Sequence, residues 1–339
     1  MKICFIAGQK NSKQCGITDY VELIANELEK LGHEIEQYFI NKGSGELTDL
    51  PNADLYSIQF APYAYATNGI PNQVLKCLSR KLQNQKVHVN FHEIWVGAYP
   101  RATWKERGIG WLQKNLILGF INKCKPEWIT SSNAAALDRF KQLGIPARFL
   151  YLFGNIPFSA NSKATPKGQT HKVAFFGTLY ADFPYHKLDN FFSTLSKTSG
   201  KKLEIILIGR QREDAGSDHL YSLCKKNKFL IERTGELSTN LISEQLQKCS
   251  LGVSTTPYDV IGKSGATAAM FEHGLPILAY DDGDTPQESL FIPYPFKDRI
   301  FLINDHSSVE KLLQYIEKPR KSFLDGVAHT ANKMLGLVS

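Results

Sequence analysis

Thr255-Thr-Pro-Tyr-Asp-Val-Ile-Gly-Lys-Ser-Gly-Ala-Thr-Ala-Ala-Met-Phe-Glu-His-Gly-Leu-Pro-Ile-Leu-Ala279 is the stretch whose reading decides the fold. It follows a short apolar run, Leu251-Gly-Val-Ser254, with the composition of a buried strand. A loop ending in Gly262-Lys263-Ser264-Gly265 leads into a small-residue helix, Ala266 to Phe271. Gly274 stops that helix, and Pro276-Ile277-Leu278 opens the next strand. Strand, loop, helix and strand in that order make one unit of a parallel α/β sheet. The first N–H groups of such a helix have no intrahelical acceptor and carry the positive end of its dipole. A place of this kind binds phosphate, and Lys263 and Ser264 add a charge and a hydroxyl. A P-loop is excluded, because Gly-x4-Gly-Lys-Ser needs a glycine at 257 and Pro257 stands there. The other reading open at this point is a tight turn with Lys263 in solvent.

Outward from this unit the same alternation continues in both directions. Strands are expected at 2–7, 35–40, 53–60, 86–91, 128–131 and 148–153. Gly8 to Gly16 reads as a polar loop. The helix Ile17 to Leu31 carries an apolar stripe at Ile17, Val21, Ile24, Ala25, Leu28 and Leu31, and Ser132 is placed to cap a helix over 133–143. Residues 159–172 are polar and turn-rich, as a linker is. The pattern then restarts, with strands at 173–176, 203–208, 229–233, 251–254, 277–280 and 300–303. The expected organisation is an α/β chain of two Rossmann-like, doubly wound domains facing a cleft. The first spans 1–158 and the second 173–318; a helix in 319–339 has a stripe (Phe323, Val327, Ala331, Leu335) suited to packing back on the first domain. Ligands of such sheets bind at the carboxyl ends of the strands.

A chain of 339 residues exceeds one ordinary core, and 42% hydrophobic with 22% charged residues is a globular composition. The six cysteines (4, 15, 77, 124, 224, 249) show no metal spacing, and four lie in apolar segments, so a reducing, cytoplasmic setting is expected and no metal site is. Residues 1–7 read as a first strand rather than a signal sequence, and no run approaches the 18 apolar residues of a membrane span. Residues 1–158 hold 18 Lys/Arg against 13 Asp/Glu. The surplus lies in 101–125, where Arg101, Lys105, Arg107, Lys114, Lys123 and Lys125 face Glu106 alone. This suits anionic small molecules or an anionic inner membrane surface; no motif for nucleic acid accompanies it. Trp104, Trp111, Leu112, Leu116, Ile117, Leu118 and Phe120 fall in the same stretch, as in an interfacial helix or in an ordinary amphipathic helix packed on its sheet.

Several motifs, in order, now bear on function. They are Cys15-Gly16-Ile17-Thr-Asp19-Tyr20 with Leu31-Gly-His33-Glu34-Ile35, Val89-Asn-Phe-His92-Glu93-Ile-Trp95, Thr130-Ser-Ser-Asn-Ala-Ala with Gly144-Ile-Pro, and Phe153-Gly-Asn155-Ile156. Phe176-Gly177-Thr-Leu179, Ile206-Leu-Ile-Gly209, Thr234-Gly235-Glu-Leu237 and Gly274-Leu-Pro-Ile-Leu-Ala279 follow. Over nearly its whole length the chain thereby resembles the GT-B glycosyltransferases of the large group-1 (family 4-like) set. The resemblance implies a hexosyl or other glycosyltransferase, retaining rather than inverting. It would move sugar from a nucleotide-diphosphate sugar to a hydroxyl of a glycan or lipid-linked acceptor, with no cofactor.

The diphosphate would then be held by Lys263, Ser264, the N–H groups of Gly265 and Ala266, and Arg210, with Gly16 allowing close approach of the first-domain loop and Thr234–Leu237 walling the base. Gly177 and Thr178 stand at the family's glycine and arginine positions, and Lys187 where its lysine does. The family's paired glutamates correspond to Ile261 and Ala269, so Glu272 is the acid left to reach a ribose, unless it is a solvated helix-end residue. His92 would bond the transferred sugar or the acceptor. Glu93 would be a general base in an inverting mechanism or a loop brace, and Asp19 a helix cap or an acceptor contact. The absent glutamates keep two other readings open: a non-catalytic nucleotide-sugar-binding or partner protein, and a sugar-nucleotide epimerase.

Overall fold

The computed structural model describes residues 1–8, 16–44, 46–97, 102–159, 169–211, 213–281, 297–304, 308–318 and 324–338. Most of the Gly8–Gly16 loop with Cys15, Arg101 of the basic stretch, most of the 159–172 linker, and 319–323 of the tail lie outside the described residues. The chain divides into two units, Met1–Tyr151 with Val327–Ser339, and Leu152–Gly326.

The first unit runs β1 (Lys2–Gly8), α1 (Gly16–Lys30), β2 (Glu34–Ile40), β3 (Leu55–Phe60), α2 (Pro62–Tyr65), α3 (Asn72–Lys81), β4 (Val87–Phe91), α4 (Trp104–Cys124), β5 (Trp128–Ser131), α5 (Ala134–Gln142) and β6 (Arg148–Phe149). Its parallel strands pair in the order β2-β1-β3-β4-β5-β6. β3 and β4 are buried along their whole length, as strands covered on both faces are. One face carries Tyr56, Ile58, Phe60, Val87, Val89, Phe91 and Ile129 into the apolar core. The opposite face carries Ser57, Gln59, His88, Asn90 and Thr130, all buried. α1 buries Tyr20, Val21, Ile24, Ala25 and Leu28 much as its stripe implies; Leu31, past its end, is 43% exposed.

Two local expectations are corrected. Asn133, not Ser132, caps α5: its side chain accepts from the Ala135 N–H at 3.0 Å, because the helix begins one residue later. The strand expected over 148–153 stops at Phe149, since its partner β5 ends at Ser131 and Leu150 N–H makes the last bond, to Ser131 O.

The second unit runs β7 (Thr170–Phe176), α6 (Tyr185–Ser199), β8 (Lys202–Ile208), α7 (Ala215–Asn227), β9 (Leu230–Arg233), α8 (Thr239–Lys248), β10 (Leu251–Val253), a 3-10 helix (Tyr258–Lys263), α9 (Gly265–Glu272), β11 (Ile277–Ala279), a 3-10 turn (Lys297–Arg299), β12 (Ile300–Leu302) and α10 (Ser308–Glu317). Its parallel order is β12-β11-β10-β7-β8-β9. β7 therefore has β8 on one side and β10 on the other, and the strand order reverses between β7 and β10. In the first unit the reversal falls between β1 and β3. The last helix, α11 (Gly326–Val338), belongs to the first unit, where Thr330 Oγ1 donates to Tyr151 O at 3.1 Å. Each unit is thus a doubly wound, Rossmann-like sheet with a switch point of the kind at which ligands bind in open α/β sheets.

Candidate functional site

At the switch point of the second unit the turn after β7 meets the start of α9. Gly177 has φ +97°, a conformation open to glycine, and a Cβ there would come within 2.8 Å of Ala266 Cβ. Thr255 Oγ1 donates to Thr178 O, tying the loop after β10 to the same turn. Ser264 is the N-cap of α9. Its Oγ accepts from Thr267 N–H (3.2 Å) and Thr267 Oγ1 (2.9 Å), and Thr267 Oγ1 lies 2.9 Å from the buried Ser254 Oγ. The hydroxyl oxygen of Ser264 is thereby spent on its own helix, which leaves the proton to donate. Gly265 and Ala266 supply the first-turn N–H groups, and a Cβ on Gly265 would meet nothing within 4 Å.

Lys263 ends the 3-10 helix and is exposed; Arg210, exposed as well, follows β8, the strand beside β7. Gly209 N–H donates to Thr234 Oγ1 at 3.0 Å, and Gly209 bridges Gly235, so the loops after β8 and β9 form one wall. Gly177, Thr178, Ser264, Gly265 and Ala266 are thus brought together, with Lys263 and Arg210 on the same carboxyl edge. Lys187, in the first turn of α6, has its Nζ 5.4 Å from the ring of Tyr280, which follows β11. Glu272 sits at the far end of α9, 6% exposed, and its Oε1 accepts the Gly154 N–H at 2.9 Å. Its carboxylate is an internal brace of the unit rather than a solvated acid. Ile261 and Ala269 are buried at 5% and 0% exposure.

In the first unit, His92 follows β4. Its backbone N–H donates to Phe60 O (2.9 Å), its Nε2 lies 2.9 Å from Gln59 Oε1, and the Tyr20 ring from α1 meets it edge-on at 4.9 Å. Burial pushes its pKa down to about 4 and that of His88 to about 3. His92 is therefore a neutral imidazole near neutral pH. Glu93 beside it is exposed, Asp19 is half-buried in the first turn of α1, and Gly16 starts that helix in the open. The polar face beneath His92 was given no role by the motifs, although Asn90 and Thr130 fall within them. Its signal was nonetheless present as alternation: Ser57-x-Gln59 and His88-x-Asn90-x-His92 place polar residues at period 2 in strands otherwise apolar. Among the described residues no group of three or more His, Cys, Asp or Glu is disposed to hold a metal, and no helix is long and apolar enough to cross a membrane.

Two six-stranded, doubly wound parallel units of this order define the GT-B fold. Solved structures agree: the chain is similar to sucrose-phosphate synthase from Thermosynechococcus elongatus (10% identity, 99% of this chain and 96% of that one, TM-score 0.58). It is also similar to Anabaena HepE in complex with UDP (12%, 99% of each chain, TM-score 0.54). A Listeria monocytogenes protein described as a UDP-N-acetylglucosamine 2-epimerase matches as well (11%, 99% and 95%, TM-score 0.53). No family model matches the chain, and no curated protein does.

Proposed function

We propose that this chain is a glycosyltransferase that takes a nucleotide-diphosphate sugar on the second unit and an acceptor hydroxyl on the first. The observation that carries the reading is the meeting of the Gly177 turn with the first turn of α9 at the switch point. Fixed N–H groups there, at Gly265 and Ala266, are aimed where charge develops as the sugar–phosphate bond breaks, and Lys263 and Arg210 add positive charge. The Thr234–Leu237 wall, held by the Gly209–Thr234 bond, takes the base. The bond from the anomeric carbon to the diphosphate breaks and one to the acceptor oxygen forms. The acceptor proton passes to the leaving phosphate in a retaining reaction, the outcome the group-1 resemblance favours, or to Glu93 or His92 in an inverting one. Fold likeness to a complex with UDP supports a uridine nucleotide as the first donor to try.

The acceptor reading extends to α4. Trp104, Trp111 and Leu112 are 87%, 65% and 46% exposed. They lie along one stripe of the helix, with Lys105 exposed beside them. This composition supports peripheral contact with an anionic membrane carrying a lipid-linked acceptor.

The test is thermal stabilisation by a panel of nucleotide diphosphates and their sugars, in wild type and Lys263→Ala. A ligand at 100 times its Kd stabilises by about 2.7 kcal/mol. A shift in wild type, lost in the variant, supports the site; no shift with any nucleotide overturns it. A second reading is favoured by the buried, apolar Ile261 and Ala269 where the family carries glutamates: binding without transfer, or epimerisation. Release of free sugar, transfer to an added acceptor, or conversion to an epimer separates these outcomes, and the anomer formed reports the stereochemistry.

A further inference from the structure

The polar face of the first unit is a closed circuit. Parallel register sets Ser57 beside His88, Gln59 beside Asn90, and Asn90 beside Thr130. Gln59 Nε2 donates to Ser57 Oγ (2.8 Å), and Ser57 Oγ lies 3.0 Å from His88 Nδ1. His88 Nε2 lies 2.8 Å from Thr130 Oγ1, Thr130 Oγ1 donates to Asn90 Oδ1 (3.0 Å), and Asn90 Nδ2 donates to Gln59 Oε1 (3.1 Å). None of the five is more than 4% exposed.

With Asn90 Oδ1 and Gln59 Oε1 as the acceptors, the proton on His88 falls on Nε2. Thr130 gives its hydroxyl proton to Asn90, so it must accept from His88 Nε2–H; His88 Nδ1 then accepts from Ser57. Every member gives one hydrogen bond and takes one. An imidazolium at 88 would donate at both nitrogens and leave the Ser57 proton no acceptor in the ring, at a fully buried position. Only one other arrangement satisfies every member, the same ring run backwards, with His88 protonated on Nδ1 and both amides flipped. That reversal would turn Gln59 Nε2, a donor, toward His92.

His92 is tied to this ring at one atom. Its Nε2 lies 2.9 Å from Gln59 Oε1 and 3.3 Å from Asn90 Nδ2, and the shorter approach, to an acceptor, places the proton on Nε2. The direction of the ring and the tautomer of His92 are therefore one choice. We propose that the Ser57–His88–Thr130–Asn90–Gln59 ring is a tautomer lock: it keeps the proton of the neutral His92 imidazole on Nε2, and so presents Nδ1 as a hydrogen-bond acceptor to a sugar hydroxyl. Gln59 is the positioning residue that transmits the lock, and the edge-on Tyr20 ring keeps the imidazole in plane. The lowered pKa values of both histidines run in the same direction. The sugar hydroxyl rests on the glycosyltransferase reading; the tautomer does not.

Long-range proton–nitrogen correlation spectra of the ligand-free, histidine-labelled full chain at pH 7 report each ring nitrogen directly. The expected result is Nε2 protonated and Nδ1 bare in both His88 and His92. His92 protonated on Nδ1, averaged between tautomers, or charged overturns the lock. Thr130→Val opens the ring without touching His92 and is expected to move the His92 nitrogens toward averaged tautomers; unchanged His92 signals in a folded variant overturn it too. If that variant does not fold, the wild-type spectrum decides. On adding a methyl glycoside as a stand-in for the acceptor hydroxyl of the first unit, His92 Nδ1 is expected to shift; no shift overturns the hydroxyl contact. A failed spectrum with intact nucleotide binding removes the lock alone, and absent nucleotide binding removes the functional reading alone.

Discussion

Burial lowers the pKa of His171 and His329, and the two histidines of the polar face, His88 and His92, add to the same acid sensitivity. The latter two have folded pKa values, about 3 and about 4, below the ordinary 6.5, so below pH 6.5 the unfolded chain binds more protons than the folded one. Their contribution is therefore present above about pH 6.5 and drains away as the pH falls through the folded values. Each proton adds a slope of up to about 1.4 kcal/mol per pH unit. Melting of wild type is expected to fall steeply between pH 6.5 and 4, and His88→Gln to flatten that fall; an equal slope in both would assign acid lability elsewhere. Gln59→Leu tests the same circuit at neutral pH. It strands Ser57 and Asn90 with unmade hydrogen bonds, and urea unfolding is expected to show a loss of about 1–3 kcal/mol. His92 stood out in the sequence because it follows a strand, and Lys263 because it lies in a glycine-bearing loop that leads into a helix. The ring as such did not, because alternation shows only that these residues share a face, and which of them bond depends on the cross-strand register.

Among the elements, α9 carries the most consequence for its eight residues. Its N-terminus is organised by Ser264 and by the turn at Gly177, and the two contribute in different ways. Ser264→Ala removes a cap and is expected to cost about 1 kcal/mol in unfolding. Gly177→Ala puts a Cβ at φ +97° and 2.8 Å from Ala266. Strain of about 1–3 kcal/mol follows, with the α9 N-terminus displaced. Nucleotide affinity, read by calorimetry, is expected to drop more in Gly177→Ala than the stability loss shared with Ser264→Ala explains. The α9 helix and its flanking strands were legible from glycine and proline punctuation and apolar runs. The exact ends of elements were not: α9 begins at Gly265 rather than Ala266, Asn133 rather than Ser132 caps α5, and β6 stops where its partner stops.

At the scale of the molecule, the predicted traffic divides between the units. Hydrogen exchange with a stabilising nucleotide is expected to protect peptides spanning 177–178, 209–210, 234–237 and 263–267 of the second unit; protection confined elsewhere would move the donor site. Vesicles containing anionic lipid are expected to sediment with wild type at low salt and to release it as salt screens the contact. Trp104→Ala/Trp111→Ala is expected to bind them several-fold more weakly, since both side chains stand in solvent and their loss leaves the core intact. Equal binding by the variant would return α4 to an ordinary packed helix, whose inner face is already filled by Ile117, Phe120 and Cys124.

By itself the amino-acid order determined the α/β class, the alternation of strands and helices, the positions of most elements and the glycine-led turn into α9. These depend on hydrophobic period, helix caps and backbone freedom, which are properties of neighbours along the chain. Tertiary structure decided the strand orders and therefore the switch points. It also set Glu272 inside the second unit as a brace for Gly154, and it assembled Ser57, Gln59, His88, Asn90 and Thr130 into one ring. Those facts depend on which strand lies beside which and in what register, and residues 31 or 40 positions apart acquire a shared chemistry only through that pairing.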